Sequence, residues 1–258
     1  MDRNYFDLKD HVAIVTGCSG GLGVQMAKAL ASQGATIVAT ARRENKVQEV
    51  AEEIAAEFGV PTWYYKCDIT DTDVVNQMVD AVYEKFGRID ILVNNAGTGA
   101  VAPAEDITDD QFANEMNIDL FGSFRVARAA AKKAMIPAKY GRIINIASMY
   151  GLVGNKIAGS APYHAAKGGV VNMTRALAAE WGKYGITVNA ICPGYFYTDL
   201  TRDTLNSDFF QRNAKTMIPE ERYGEEGELD TAALFLASPA SAYVTGVNLP
   251  VDGGYTAM

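Results

Sequence analysis

The chain has 258 residues, 48% of them hydrophobic and 21% charged, the proportions of a globular protein with a sizeable core. A formal net charge of −8 speaks against a nucleic-acid-binding face or attraction to an acidic membrane surface. The polar first ten residues do not read as a signal peptide, and no apolar run is long enough to span a bilayer. Three separated cysteines and two histidines suit reduced thiols and argue against a histidine-rich metal site, so a cytoplasmic protein is expected.

Along the chain, short β-branched runs alternate with longer amphipathic stretches. Strands are expected at Val12–Thr16, Thr36–Thr40, Thr62–Lys66, Ile91–Asn94, Arg142–Ala147, Thr187–Cys192 and near Val247–Leu249. Several are continuous apolar runs, as in strands buried on both faces. Helices are expected at Leu22–Ser32, Asn45–Phe58, Asp71–Phe86, Asp109–Met135 and Ala161–Tyr184. Asp71, Thr108 and Ser160 are the N-cap candidates, and Gly34, Gly59, Gly87 and Gly185 follow helix ends. The alternation predicts one α/β domain over residues 1–258, a Rossmann-type doubly wound parallel sheet of about seven strands with helices on both faces.

From Tyr195 to Tyr223 the alternation breaks into an irregular, aromatic segment containing Phe196, Tyr197, Phe209, Phe210 and Met217. One reading is a surface helical pair with its own small core. The favoured one is a substrate lid, because the segment follows a strand end where open α/β sheets bind ligands.

The run Thr16-Gly17-Cys18-Ser19-Gly20-Gly21-Leu22-Gly23 leaves the first strand and opens the first helix. Glycines there let the backbone approach a pyrophosphate, and a helix N-terminus offers unpaired N–H groups. Gly17, Ser19, Gly20, Gly21, Leu22 and Gly23 are therefore cofactor-binding candidates; a plain tight turn is the bland alternative. The second strand ends Ala41-Arg42-Arg43, without the acidic residue that usually holds ribose hydroxyls in an NAD site. Arg42 and Arg43 would suit a 2′-phosphate, so NADP(H) is preferred and NAD(H) stays open. Otherwise the two arginines simply begin a solvated helix.

Tyr163 and Lys167 lie four residues apart, on one face of the last long helix. A cation beside a phenol favours the phenolate and suits the pair to general acid–base work. The same spacing on a solvated face is common and inert. Here it follows Ser148, at the end of a strand, whose hydroxyl could bond a carbonyl or alkoxide oxygen.

These motifs resemble the short-chain dehydrogenase/reductase family over nearly the whole chain. They are Thr16-Gly17-x-x-x-Gly21-x-Gly23, Asp68-Ile69, Asn94-Asn95-Ala96-Gly97, Ser148, Tyr163-x-x-x-Lys167 and Pro193-Gly194-x-x-x-Thr198. The resemblance implies hydride transfer between NADP(H) and a carbonyl/secondary-alcohol pair, with Tyr163 as acid/base, Ser148 as charge stabiliser and Lys167 tuning the tyrosine. It also implies that Asp68 and Ile69 meet adenine, that Asn95, Ala96 and Gly97 line the cofactor groove, and that Pro193, Gly194, Phe196 and Thr198 hold the nicotinamide carboxamide. It implies that Tyr163 and Lys167 also meet the nicotinamide ribose. A homotetramer is implied as well, with Ala165, Ala166, Gly168 and Gly169 permitting close helix packing; the same small residues could instead serve packing within the chain.

One position departs from the family pattern. Alignment on Gly122 puts Asp119 where the family has a catalytic asparagine that helps hold a relay water. A working variant relay is the favoured reading, ahead of a slow or an impaired enzyme. The stretch Ser148–Lys156 is similar to gluconate 5-dehydrogenase members, which would make Asn155, Lys156 and His164 sugar-acid contacts. Alternatives are a hydroxysteroid or other apolar carbonyl under the aromatic segment, and a catalytically weak NADP(H)-binding regulator. A sugar-nucleotide epimerase would need an added substrate domain.

Overall fold

The computed structural model describes residues 4–99, 101–155, 159–198 and 201–258. Among them, seven parallel strands form one sheet in the order β3-β2-β1-β4-β5-β6-β7. The strands are β1 (Val12–Thr16), β2 (Thr36–Ala41), β3 (Thr62–Lys66), β4 (Ile91–Asn94), β5 (Gly141–Ile146), β6 (Ile186–Pro193) and β7 (Asn248–Val251). β1, β4, β5 and β6 are buried along their whole length, which explains their unbroken apolar runs. Strand order reverses between β1 and β4, and the loops there part to leave a crevice at the C-terminal strand ends.

Helices α1 (Gly21–Ser32), α2 (Glu44–Phe58) and α3 (Thr72–Phe86) follow the first three strands. Asp71 caps α3, its carboxylate accepting from the N–H groups of Asp73 and Val74. Thr108 forms a capping box with Gln111 at the start of α4 (residues 109–138). Gly34, Gly59, Gly87 and Gly185 all take positive φ at the expected helix ends. α4 runs unbroken over residues 109–138, as the periodicity predicts to within a few residues. Two stretches, Asn117–Gly122 and Ala131–Met135, wind as π-helix, an extra residue per turn that an apolar period does not reveal. α5 (Ala161–Trp181) starts after Ser160, which occupies the N-cap position without a side-chain cap bond. Its hydroxyl is within 3.1 Å of His164 Nδ1 instead.

The segment after β6 holds α6 (Arg202–Leu205) and α7 (Asp208–Met217). Leu205, Phe210 and Ile218 are buried there against Tyr195, Met217, Tyr223 and Tyr255, so the helical pair with its own small core is what forms. α8 (Asp230–Ala237) forms where no helix is expected. Ala232, Ala233, Leu234, Leu236 and Ala237 are all buried, and the exposed side carries Phe235, so no clear amphipathic stripe betrays the helix.

Two apolar layers cover the sheet. Met26, Leu30, Val47, Ile54 and Leu236 lie on one face, and Met78, Val82, Val126, Met135 and Leu177 on the other. No helix among the described residues is long and apolar enough to cross a membrane.

Candidate active site

The strand ends open on a cleft of about 710 Å³. Its wall gathers Gly17, Ser19, Gly20, Gly21 and Leu22 from the β1–α1 loop, Arg42 and Arg43 after β2, and Asp68 and Ile69 after β3. Asn95, Ala96 and Gly97 come from beyond β4, Ser148 from beyond β5, Tyr163 and Lys167 from α5, and Pro193, Gly194, Phe196 and Thr198 from the end of β6 and beyond. Thr70, Thr98, Ile118 and Thr201 also line it, with Thr40, Ala41, Cys67, Ile146 and Ala147 at the strand ends; nothing but their adjacency to motif residues marks the first four in the sequence. Gly23 and Asp119 are outside the wall. Gly23 stands behind the loop, and Asp119 behind Lys167.

The glycine loop is built by close approach. A Cβ on Gly17, whose φ is +66°, would stand 2.7 Å from the Ala96 Cα, and one on Gly23 would stand 2.7 Å from the Gly17 carbonyl oxygen. Thr16 Oγ1 accepts from the N–H groups of Asn95 and Ala96 at 3.0 and 3.1 Å, and Asn95 Nδ2 donates to the Thr16 carbonyl at 3.1 Å. The loop is thereby tied to the β4 end. Gly20, at the N-cap of α1, offers no side-chain cap, and a Cβ there would meet nothing within 4 Å. The first turn of α1 thus borders the cleft at Gly20, Gly21 and Leu22 with no capping side chain, an arrangement that suits a pyrophosphate.

Arg42 and Arg43 are exposed at the rim of the cleft. Arg43 Nη2 donates to Ser19 Oγ at 3.0 Å, bringing its guanidinium to the glycine loop. Burial tends to raise the pKa of Asp68, but bonds from the Thr70 N–H and hydroxyl, with the charge of Arg42, bring it below the ordinary carboxylate value. A charged Asp68 and two cations therefore share the mouth of the cleft.

At its inner end, Ser148 Oγ accepts from the Tyr150 N–H at 3.1 Å, which leaves the serine hydrogen to a group in the cleft. Lys167 Nζ lies 5.5 Å from the Tyr163 ring centre and donates to the Ile146 carbonyl at 3.1 Å. It also pairs with Asp119 Oδ2 at 3.1 Å. Burial pushes the Lys167 pKa down, yet the charges of Asp119, Tyr163 and Glu115 and the bond to Asp119 bring it above the ordinary lysine value. The lysine stays charged.

His164 turns Nδ1 toward the Ser160 carbonyl at 2.9 Å and stacks on Tyr150 with ring centres 4.6 Å apart. Asn155 is half-buried, and Lys156 lies outside the described residues. Gly169 packs inside the chain: a Cβ there would come within 2.8 Å of the Leu120 side chain.

Residues 17–256 match a family model described as enoyl-(acyl carrier protein) reductase. The chain belongs to the short-chain dehydrogenase/reductase family, as its motifs imply. A gluconate 5-dehydrogenase of Gluconobacter oxydans is 38% identical to this family member over 251 residues, covering 97% of this chain and 96% of that protein. A 3-oxoacyl-(acyl-carrier-protein) reductase of Vibrio cholerae is 36% identical over 249 residues, covering 96% of this chain and 98% of that one. Among solved structures, a gluconate 5-dehydrogenase from Burkholderia cenocepacia in complex with NADP and tartrate superposes with a TM-score of 0.94 at 37% identity, covering 98% of each chain. The dehydrogenase/reductase fold, and the oxidoreductase class that goes with it, are thus shared over nearly the whole chain.

Proposed function

We propose that this short-chain dehydrogenase/reductase interconverts a secondary alcohol and a ketone on a sugar acid or polyol, with NADP(H). The single observation that carries the reading is the gathering of Ser148, Tyr163 and Lys167 at the inner end of a cleft whose outer end is a glycine loop beside two arginines.

The residues present fit a dinucleotide phosphate. Arg42 and Arg43 hold the 2′-phosphate, the open first turn of α1 the pyrophosphate, and Asp68 and Ile69 the adenine. Asn95, Ala96 and Gly97 form the groove, and Pro193 to Thr198 the carboxamide contacts. Bound there, NADP(H) supplies or accepts a hydride at the substrate carbon. The chain's own residues handle the proton. In reduction Ser148 donates to the carbonyl oxygen, and the Tyr163 hydroxyl gives that oxygen its proton. In oxidation Tyr163 takes the proton back as phenolate, beside the Lys167 ammonium.

Two relatives named as gluconate 5-dehydrogenases, one of them in complex with tartrate, support a sugar acid or polyol. The aromatic cluster of Tyr150, Tyr195, Phe210 and Tyr255, packed beside the turn that follows Ser148, favours a second reading, an apolar carbonyl such as a hydroxysteroid, with α6 and α7 as the lid. We further propose that the protein works in the cytoplasm as a homotetramer, which light scattering on the purified chain would test; a monomer would refute it.

The test is NADPH consumption, and NADP⁺ reduction in reverse, across sugar acids, polyols and hydroxysteroids, in the wild type and in Tyr163→Phe. Turnover that falls about a hundredfold or more in Tyr163→Phe supports the enzyme reading. Tight NADPH binding without Tyr163-dependent turnover would make the chain a cofactor-binding regulator instead.

A further inference from the structure

Asp119 and Lys167 form an ion pair in the interior. Lys167 Nζ stands 3.1 Å from Asp119 Oδ2, and the two side chains are 5% and 0% exposed. The aspartate is held on several sides. The Thr98 N–H donates to Oδ1 at 2.8 Å, and the Ser123 hydroxyl donates to the main-chain carbonyl at 3.0 Å. A Cβ on Gly97 would lie 3.2 Å from both carboxylate oxygens and 3.3 Å from Nζ, so the space beside the pair is already filled. Asp119 belongs to the π-wound turn Asn117–Gly122, where the extra residue turns side chains away from their regular helical face.

An ammonium standing alone beside Tyr163 would favour its phenolate. A carboxylate at contact distance cancels most of that influence, because at this burial the pair is screened little by water. The other groups facing Lys167 do not restore a positive balance. Glu115, buried one turn earlier on α4, adds negative charge. Cys192 on β6 is a thiol that burial pushes up to about 11, so it is neutral at physiological pH. Arg175, further along α5, is exposed.

We propose that Asp119 is a positioning residue that neutralises Lys167 directly, so that the catalytic centre works in a higher pH range than one whose lysine stands unpaired. The proposal rests on the hydride-transfer reading above and takes its reaction from it. In this chain the carboxylate both clamps the lysine to the loop after β4 and limits its charge; an asparagine, neutral at every pH, could do only the first.

The test compares the full-length wild type with Asp119→Asn and Asp119→Ser. Both variants remove the charge, and asparagine keeps an acceptor for the Thr98 N–H. With the best alcohol from the substrate panel and NADP⁺, kcat and KM are measured across pH. In both variants the rise of kcat with pH should move down by about one pH unit or more, with KM for NADP⁺ little changed. An unmoved profile overturns the proposal, as does a loss of kcat equal at every pH, which is what a merely structural role would produce.

A second measurement needs no turnover. Because Lys167 is raised in the folded protein, the stability it contributes is fully present below the unfolded lysine value of about 10.4 and is lost as pH climbs through the folded value. Wild-type Tm should therefore fall more steeply than that of Asp119→Asn above about pH 10. Equal slopes overturn the ion pair itself. If the wild type shows no Tyr163-dependent turnover, the hydride-transfer reading fails, while the comparison of slopes still judges the pair.

Discussion

The hydroxyls of Tyr150 and Tyr195 meet at 2.5 Å, joining the turn after β5 to the segment after β6. Tyr150 stacks on His164 and meets Tyr255 edge-on, and Tyr195 packs its ring edge-on against Phe210 of α7 with centres 4.7 Å apart. Burial raises the pKa of both phenols, so each keeps its proton at physiological pH and one donates to the other. The loop that carries Ser148 is thereby fastened to the helical pair that would cover a substrate. Tyr195→Phe removes this bond and little volume. It should weaken that fastening by about 1 kcal/mol, read as roughly a fivefold rise in substrate KM with kcat and NADPH affinity nearly unchanged. Unchanged KM across the substrate panel would show that the two loops act separately.

Arg42 reaches the cleft mouth beside Asp68, while Arg43 is engaged with Ser19. If Arg42 meets a 2′-phosphate, Arg42→Ala should weaken NADPH binding by about tenfold to a hundredfold, the range of one charge-assisted bond, and leave NADH binding alone. Fluorescence titration with both nucleotides measures it. Equal losses for the two would move the cofactor preference away from this residue.

Gly23 has no room for a side chain: a Cβ would lie 2.6 Å from Asn95 Nδ2 and 2.7 Å from the Gly17 carbonyl oxygen. Gly23→Ala should cost about 1–3 kcal/mol in urea unfolding and should loosen cofactor binding as the loop is pushed from β4. By contrast Gly20, which faces open space, should tolerate alanine without loss of fold stability beyond about 1 kcal/mol. If both variants unfolded alike, the close packing behind the loop would not be what shapes it.

Cys18, Cys67 and Cys192 are buried without disulfides. Burial pushes their thiols up to about 12, 12 and 11 respectively. The nucleophilic thiolate is therefore scarce at neutral pH. A water-soluble thiol reagent should label none of the three in the folded chain at pH 7 and all three in urea. Rapid labelling of the native protein would show that Cys67, which lines the cleft, is reached through it.

Much of the molecule was legible before folding because its signals are local. The six named β-runs from Val12 to Cys192 appear as strands whose ends differ by at most one residue, since apolar β-branched runs need only a sheet on either side. The glycine loop, the caps at Asp71 and Thr108 and the left-handed glycines are backbone demands that a short window reveals. Where a window misled, the cause lay outside it. Ser160 turned from its cap to His164, and α8 had no clear amphipathic stripe to display. The π-turn at Asn117–Gly122 leaves the apolar spacing nearly intact while re-aiming the side chains it carries.

The sequence by itself determined the class of fold, and it picked out the glycine loop and the Ser148, Tyr163 and Lys167 set as candidates, because each depends on residue types at short spacing. It also flagged Asp119 as the odd residue in the pattern. Only the tertiary structure decided what Asp119 meets there. Its carboxylate meets Lys167, Thr98 and the edge of Gly97, which come together only when α4 and α5 pack on the same face of the sheet and the β4 loop closes over them. Charge balance at a buried site is a sum over neighbours from separate elements, and no stretch of chain contains that sum.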